Sequence, residues 1–326
     1  MHYAAILAAV AFAALAALSP SSAVAQSSFP ERPLRLIVTF PPGGSTDIVA
    51  RLMAAKMSDG LGRPVVVDNK PGAAGAVGTA EASRAAADGY TLLFHIVTTA
   101  VINPLTQKEL NFDPVKDFQP VAMIAKIPNV MIVNKDIPAK DLREFIAWVK
   151  ANPGKLAYGS SGTGGVMHIS GEVLKKMAGL DMLHVPYKGS APAIADMVGG
   201  RVVMLFDNIT GAIGPIRSGQ VRALGVTTDQ RVSVLPDVPT LAESGLPEFK
   251  NSSWFSIFTR AGVPQPVVAR LEQETLKAVS HPETLAKLNE LGAIVSPMNA
   301  AELDRFWKAE FDYWRAALKT ANIKLD

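Results

Sequence analysis

Short β-branched runs alternating with amphipathic segments constrain this chain more than any other feature. Leu34-Arg35-Leu36-Ile37-Val38-Thr39-Phe40 is such a run, and Pro41-Pro42-Gly43-Gly44 stops it. A helix is then expected from Ser45, with Ile48, Leu52 and Met53 on one face. A second strand is expected over 64–68, a helix from the Gly72-Ala73-Ala74-Gly75 turn to about 87, and a third strand over 90–96. Strand, short loop and helix in repetition imply a mostly parallel sheet with helices on both faces.

Beyond residue 120 the spacing changes. Two neighbouring strands are expected over 121–125 and 130–133, then a helix over 141–150 and a strand over 156–158. The loop Gly159-Ser160-Ser161-Gly162-Thr163-Gly164-Gly165 opens a helix that carries Val173, Leu174 and Met177. Strands over 183–187, 202–206, 221–227 and 254–259 follow, with helices over 191–198, 266–280 and 282–291. In a last helix over 300–320, Leu303, Phe306, Trp307, Phe311, Trp314 and Leu318 recur at helical spacing. Such a stripe is expected to clamp the helix onto a core.

Composition removes several classes of function. Of 326 residues 48% are hydrophobic and 19% charged, which excludes a disordered chain. The absence of cysteine excludes zinc-thiolate sites, iron–sulfur clusters and thiol catalysis. The net charge of +3 comes with no basic cluster, so no nucleic-acid partner is expected. A mild positive field suits the handling of small anions. The histidines, His2, His95, His168, His184 and His281, form no H-x-x-x-H or H-E-x-x-H pair, so no metal and no cofactor are expected.

The N-terminus has the pattern of an export signal. Residues 6–18 are apolar without interruption, too short a run to span a bilayer. Ala23-Val24-Ala25 then offers an A-x-A cleavage site, placing the cut between Ala25 and Gln26. The mature chain is therefore expected in the periplasm.

Two loops could carry chemistry. Gly43, Gly44, Ser45, Thr46 and Asp47 lie directly after a strand and at a helix start. Free backbone N–H groups and the positive end of the helix favour an anion there. Ser160, Ser161, Gly162, Thr163, Gly164 and Gly165 repeat the arrangement, with His168 one turn into the helix. Three hydroxyls among glycines suit neutral donation to a carboxylate. Either loop alone would also serve as a capped turn; two in separate halves of one chain point to a shared anion site. Neither is a Walker loop, and neither is a nucleophile elbow. Asp207 follows a strand at its C-terminal end, where open α/β sheets bind ligands.

The segment from Arg32 through Phe40-Pro41-Pro42-Gly43-Gly44-Ser45-Thr46-Asp47-Ile48-Val49-Ala50-Arg51 closely resembles the opening of the Bug (TctC-like) family, the periplasmic solute receptors of tripartite tricarboxylate transporters. The likeness continues at Val66-Val67-Asp68-Asn69-Lys70-Pro71-Gly72, at Ala87-Asp88-Gly89-Tyr90-Thr91-Leu92-Leu93 and at Val185-Pro186-Tyr187-Lys188-Gly189. It runs on through Pro236-Asp237-Val238-Pro239-Thr240-Leu241-Ala242-Glu243-Ser244-Gly245-Leu246-Pro247, so it covers essentially the whole mature chain.

The resemblance implies a type II-like, two-lobed periplasmic binding protein, with a mixed, mostly parallel sheet in each lobe and a hinge between them. Residues 26–125 and 227–326 would form lobe one and residues 126–226 lobe two. The strands over 121–125 and 221–227 would form the hinge. The ligand would be a small carboxylate held by the two loops, with His168 and Asp207 beside them. Gly165 departs from the family, whose members often carry Thr or Ser there. Membrane permease subunits are the implied partners, and a monomer is expected. No catalytic residue stands out, so no enzyme is expected. The other readings are a hydrolase or acyl transferase that uses a loop serine with His168 as base, and a ligand sensor for a membrane kinase.

Overall fold

The computed structural model describes residues 29–107 and 109–321. The expected export signal and its cleavage site lie outside them. Residues Arg32–Asp326 form one compact unit. Its elements in chain order are β1 Leu34–Val38, α1 Ser45–Leu61, β2 Val65–Asn69, α2 Ala76–Ser83, β3 Thr91–Ile96, α3 Asn103–Thr106 and β4 Phe118–Asn134. There follow α4 Leu142–Lys150, β5 Ala157–Ser160, α5 Val166–Ala178, β6 Leu183–Pro186, α6 Ser190–Val198, β7 Met204–Asn208, α7 Ile209–Arg217 and β8 Val221–Val226. The chain then runs through β9 Ser252–Arg260, α8 Gln265–Ser280, α9 Pro282–Glu290, β10 Ile294–Met298 and α10 Ala300–Ala321.

The strands pair in the order β2-β1-β3-β9-β4-β7-β5-β6, with β10 and β8 also on β4. Parallel pairing between strands occurs in the outer trios β2-β1-β3 and β6-β5-β7, with one isolated parallel bridge, Val226 to Thr240, beyond β8. Every pairing that involves β4 or β9 is antiparallel. The sheet is thus mixed, and less parallel than the strand–helix alternation implies. The reason is that β9 and β10, from the end of the chain, return to the middle of the sheet, where no crossover helix sets their direction.

β4 corrects the expectation of two separate strands over 121–125 and 130–133. Lys126-Ile127-Pro128 stays extended and pairs with Trp254, Ser253 and Ser252 of β9. From Asn129 onward the same strand pairs with β7 and β8 instead. One strand therefore belongs to both halves of the sheet. Pro120 and Pro128 look like breaks in the sequence, but a proline needs only a position that has no ladder donor to supply.

Helix limits follow local chemistry. Asp141 caps α4 by accepting the Glu144 N–H at 2.8 Å. Gly62, at φ +66°, closes α1 by donating to the Ser58 carbonyl. On α1 the buried stripe is Val49, Met53 and Met57 with Ala50 and Ala54; Ile48 and Leu52 sit at its margin. On α5 Leu174 is buried, and Met177 is exposed rather than core.

The aromatic stripe of α10 packs on β4 and the π-turn Thr98–Ile102. Leu303, Trp307, Trp314 and Leu318 are buried, with Phe306 and Phe311 beside them. Trp307 donates Nε1–H to the Ala100 carbonyl at 3.0 Å and meets Phe258 edge-on at 5.0 Å. β10 and α7 were not foreseen: Ile294 of β10 is half exposed, and Gly211, Gly214 and Pro215 conceal the helical pattern of α7.

Candidate functional site

The C-terminal ends of β1, β3, β5 and β7 face a common cavity, the position where an α/β sheet exposes helix starts to a ligand. Phe40, Pro41, Gly44, Ser45 and Thr46 come from the turn between β1 and α1, and Ile96 and Thr98 from the end of β3. Ser161, Val166 and Met167 come from the loop after β5 and the start of α5. Ser190 opens α6, and Asn208 precedes α7.

Four helices begin at this cavity, and none has a side-chain cap. The N-cap residues are Gly44, Gly165, Gly189 and Asn208. The first N–H groups of α1, α6 and α7 thus lack the partner that an ordinary Ser, Thr or Asp cap would supply, and at α5 the Val166 N–H reaches only Thr98 Oγ1, at 3.4 Å. The helix dipoles add their positive ends. No lysine or arginine is among the lining residues, so the side-chain donors are hydroxyls and an amide. Such a site recognises a small anion by directed hydrogen bonds rather than by a counter-ion. The cavity is narrow: its water-accessible core is about 20 Å³, room for roughly one water molecule.

The loop glycines are needed for conformation. Gly43 sits at φ +82°, where a side chain is strained. Gly162, at φ +138°, lies so near Ala74 that a Cβ would come within 3.1 Å of it. Ser45 accepts from Asn208 Nδ2 at 3.1 Å, a bond that ties the start of α1 to the start of α7. The Ser45 hydroxyl proton stays free to donate into the cavity.

Of the residues named from the sequence, Gly44, Ser45, Thr46 and Ser161 line this cavity. Asp47 turns away. Its carboxylate accepts from Gly43 N–H at 3.0 Å, Arg51 Nε at 3.0 Å and Asn69 Nδ2 at 3.0 Å. Burial would raise its pKa, but the bonds from Arg51, Gly43 and Asn69 outweigh it and hold the group below the ordinary value. Thr163 is exposed and outside the lining. Gly164 gives its N–H to His168 Nδ1 at 3.1 Å, so His168 braces the loop. Asp207 is fully buried behind the wall. Its Oδ1 accepts the Asn208 N–H at 2.8 Å, Oδ2 has no partner, and burial pushes its pKa up to about 7.

Ser160 meets a different histidine from the expected one. Its Oγ lies 2.7 Å from His184 Nε2, while His168 stacks on His184 with ring centres 4.0 Å apart. Burial and then the neighbouring His168 lower His184 to about 4. Ser160 is fully buried, bonds to the Gly162 backbone and does not line the cavity. The pair holds the loop and presents no nucleophile.

Thr98 and Ser190 went unforeseen, and at the 207–208 strand end it is Asn208, not the expected Asp207, that lines the cavity. Each stands at the end of a strand or the start of a helix, the signal that could have found them. Thr98 also bears on the departure at Gly165. Its Oγ1 lies 3.8 Å from where a Cβ of residue 165 would stand, and it accepts the Val166 N–H at 3.4 Å. A hydroxyl is therefore present there from the turn after β3.

A larger cavity of about 660 Å³ lies beside Lys126, Pro128, Thr227 and Tyr313, away from these strand ends. Two of the cations that line it are already paired, Lys250 with Asp229 and Arg231 with Glu243, and no helix start faces it.

Comparison with known proteins agrees with this geometry. The family model for the tripartite tricarboxylate transporter family receptor matches residues 49–323. The UPF0065 protein in the tcbD-tcbE intergenic region of Pseudomonas sp. (strain P51) is 38% identical over 302 residues, which is 92% of this chain and 90% of that protein. Among solved structures, R. palustris Rpa4515 with adipate superposes at TM-score 0.88 with 34% identity, over 91% of this chain and 99% of the other. MatC from Rhodopseudomonas palustris with bound malate superposes at TM-score 0.84 with 33% identity, over 89% and 100%.

Proposed function

The chain belongs to the receptor family of tripartite tricarboxylate transporters, and from that premise we propose that it captures a small carboxylate outside the cytoplasm and passes it to membrane permease subunits. The observation that carries this reading is the convergence of four uncapped helix starts and neutral hydroxyls on one cavity. Adipate and malate in the two Rhodopseudomonas relatives favour a dicarboxylate. Gly44, Ser45, Thr46 and Ser161, with Thr98, Ser190 and Asn208, would contact the ligand. Gly43, Asp47, Ser160, Gly162, Thr163, Gly164, Gly165 and His168 would shape the loops around it, and Asp207 would stand behind them.

A cavity with room for roughly one water must open to admit such a ligand. We assign that motion to a rotation of residues 126–226 against residues 26–125 and 227–326, about β4 and the end of β8. The mature receptor would act as a periplasmic monomer that begins at Gln26; Edman sequencing of the exported protein checks the cut. The function is tested by a thermal-shift screen of mono-, di- and tricarboxylates, amino acids and aromatic acids. A ligand at one hundred times its Kd stabilises the folded state by about 2.7 kcal/mol. A screen in which no carboxylate raises Tm refutes the reading.

A further inference from the structure

Asp207 is the penultimate residue of β7, directly behind the cavity. Its carboxyl is fully buried, and Oδ2 has no hydrogen-bond partner. Its neighbours Ser190 and Asn208 themselves line the cavity. Gly211 stands between this oxygen and the start of α1: a Cβ built on Gly211 would fall 3.2 Å from Asp207 Oδ2 and 3.2 Å from the Ser45 nitrogen. The carboxyl and the cavity thus share the same helix starts.

No charge on the packed elements offsets it. α5 carries His168, Glu172, Lys175 and Lys176, α6 carries Asp196, α1 carries Asp47, Arg51, Lys56 and Asp59, α7 carries Arg217, β4 carries Lys126 and β5 carries Tyr158. None of these groups acts on the Asp207 carboxyl. Burial, opposed by the Asn208 N–H bond and the nearby Ser190 hydroxyl, brings its titration to about 7. A ligand carboxylate entering the same desolvated space adds a second negative charge, which disfavours ionised Asp207 further.

We propose that a carboxylate ligand binds this site together with one proton from solution, which is held on the Asp207 carboxyl. The inference rests on the receptor reading above. Ligand anion, ionised Asp207 and one proton combine to a complex with Asp207 neutral; no covalent bond between heavy atoms changes. By linkage, affinity falls as pH rises past neutrality, by up to about tenfold per unit.

The test is calorimetry with malate, adipate and citrate just above neutral pH, in HEPES and in Tris, whose ionisation heats differ. The expected result is a buffer-dependent heat that corresponds to uptake of up to one proton per ligand. In Asp207→Asn the two buffers should give the same heat, and affinity should not vary with pH. Binding by the wild type without buffer dependence, or equal uptake by Asp207→Asn, overturns the inference and leaves the receptor reading intact. If no carboxylate binds in either buffer, the receptor reading falls and the inference with it. Should the variant not fold, a wild type without buffer dependence still overturns the inference, and the fall of wild-type affinity with rising pH still tests it.

Discussion

Replacing Ser45 by alanine removes one oxygen from the most connected point of the site. That oxygen accepts from Asn208 Nδ2 at 3.1 Å, so its own proton is available to a ligand in the cavity. A hydrogen bond to a charged acceptor contributes about 1.5–3 kcal/mol, whereas a neutral one contributes about 1 kcal/mol. Loss of the charged one alone corresponds to roughly tenfold to 150-fold weaker binding. The backbone N–H groups at the start of α1 remain, so binding should weaken without vanishing. The folded protein also loses the tie between α1 and α7, which leaves the Asn208 amide without its partner. For a chain of this size, about 1 kcal/mol lowers Tm by roughly 2–4 °C, too little to unfold it. The assay is calorimetric affinity for the carboxylate found in the screen, paired with a thermal melt. A Ser45→Ala protein that binds within twofold of wild type would show that the ligand does not use this hydroxyl.

Asp47→Ala removes the acceptor that holds Gly43, Arg51 and Asn69; because Arg51 is half exposed, the ion pair itself contributes little. Binding should weaken by about threefold to tenfold through a looser loop, and unchanged affinity by calorimetry would count against that brace. Trp307→Ala empties a buried site on the Ala100 carbonyl and Phe258, at a cost of about 3–5 kcal/mol. Thermal melts should show a fall of roughly 10 °C, and a change of under about 2 °C would refute the clamp role of α10. Asp207 has its pKa raised from 3.8 to about 7, so its folded state favours the protonated form. Its contribution to stability is full below the unfolded value and is lost as pH rises through about 7, at no more than about 1.4 kcal/mol per pH unit. Wild-type Tm should therefore decline over that window relative to Asp207→Asn, and parallel pH profiles of the two proteins would remove the effect.

The alternation of strands and helices was legible in the sequence because β-branched runs, proline–glycine stops and the Asp141 cap act within a few residues of one another. The α10 stripe was legible for the same reason. The two glycine–hydroxyl loops could be named as loops at helix starts, since that depends only on the chain on either side of them. The meeting of four helix starts could not be read, because Ser45 and Asn208 are 163 residues apart when they bond. The same distance problem hid His184 as the partner of Ser160, and Thr98 as the hydroxyl beside Gly165. It also hid the unity of β4, whose continuity across Pro128 depends on a partner strand that begins at Ser252. Local backbone preference decides which segments become strands and helices. Which helix ends stay uncapped around one cavity, and which carboxyl is buried without a partner, is decided by packing between segments far apart in the chain, where burial sets the cost of every polar group.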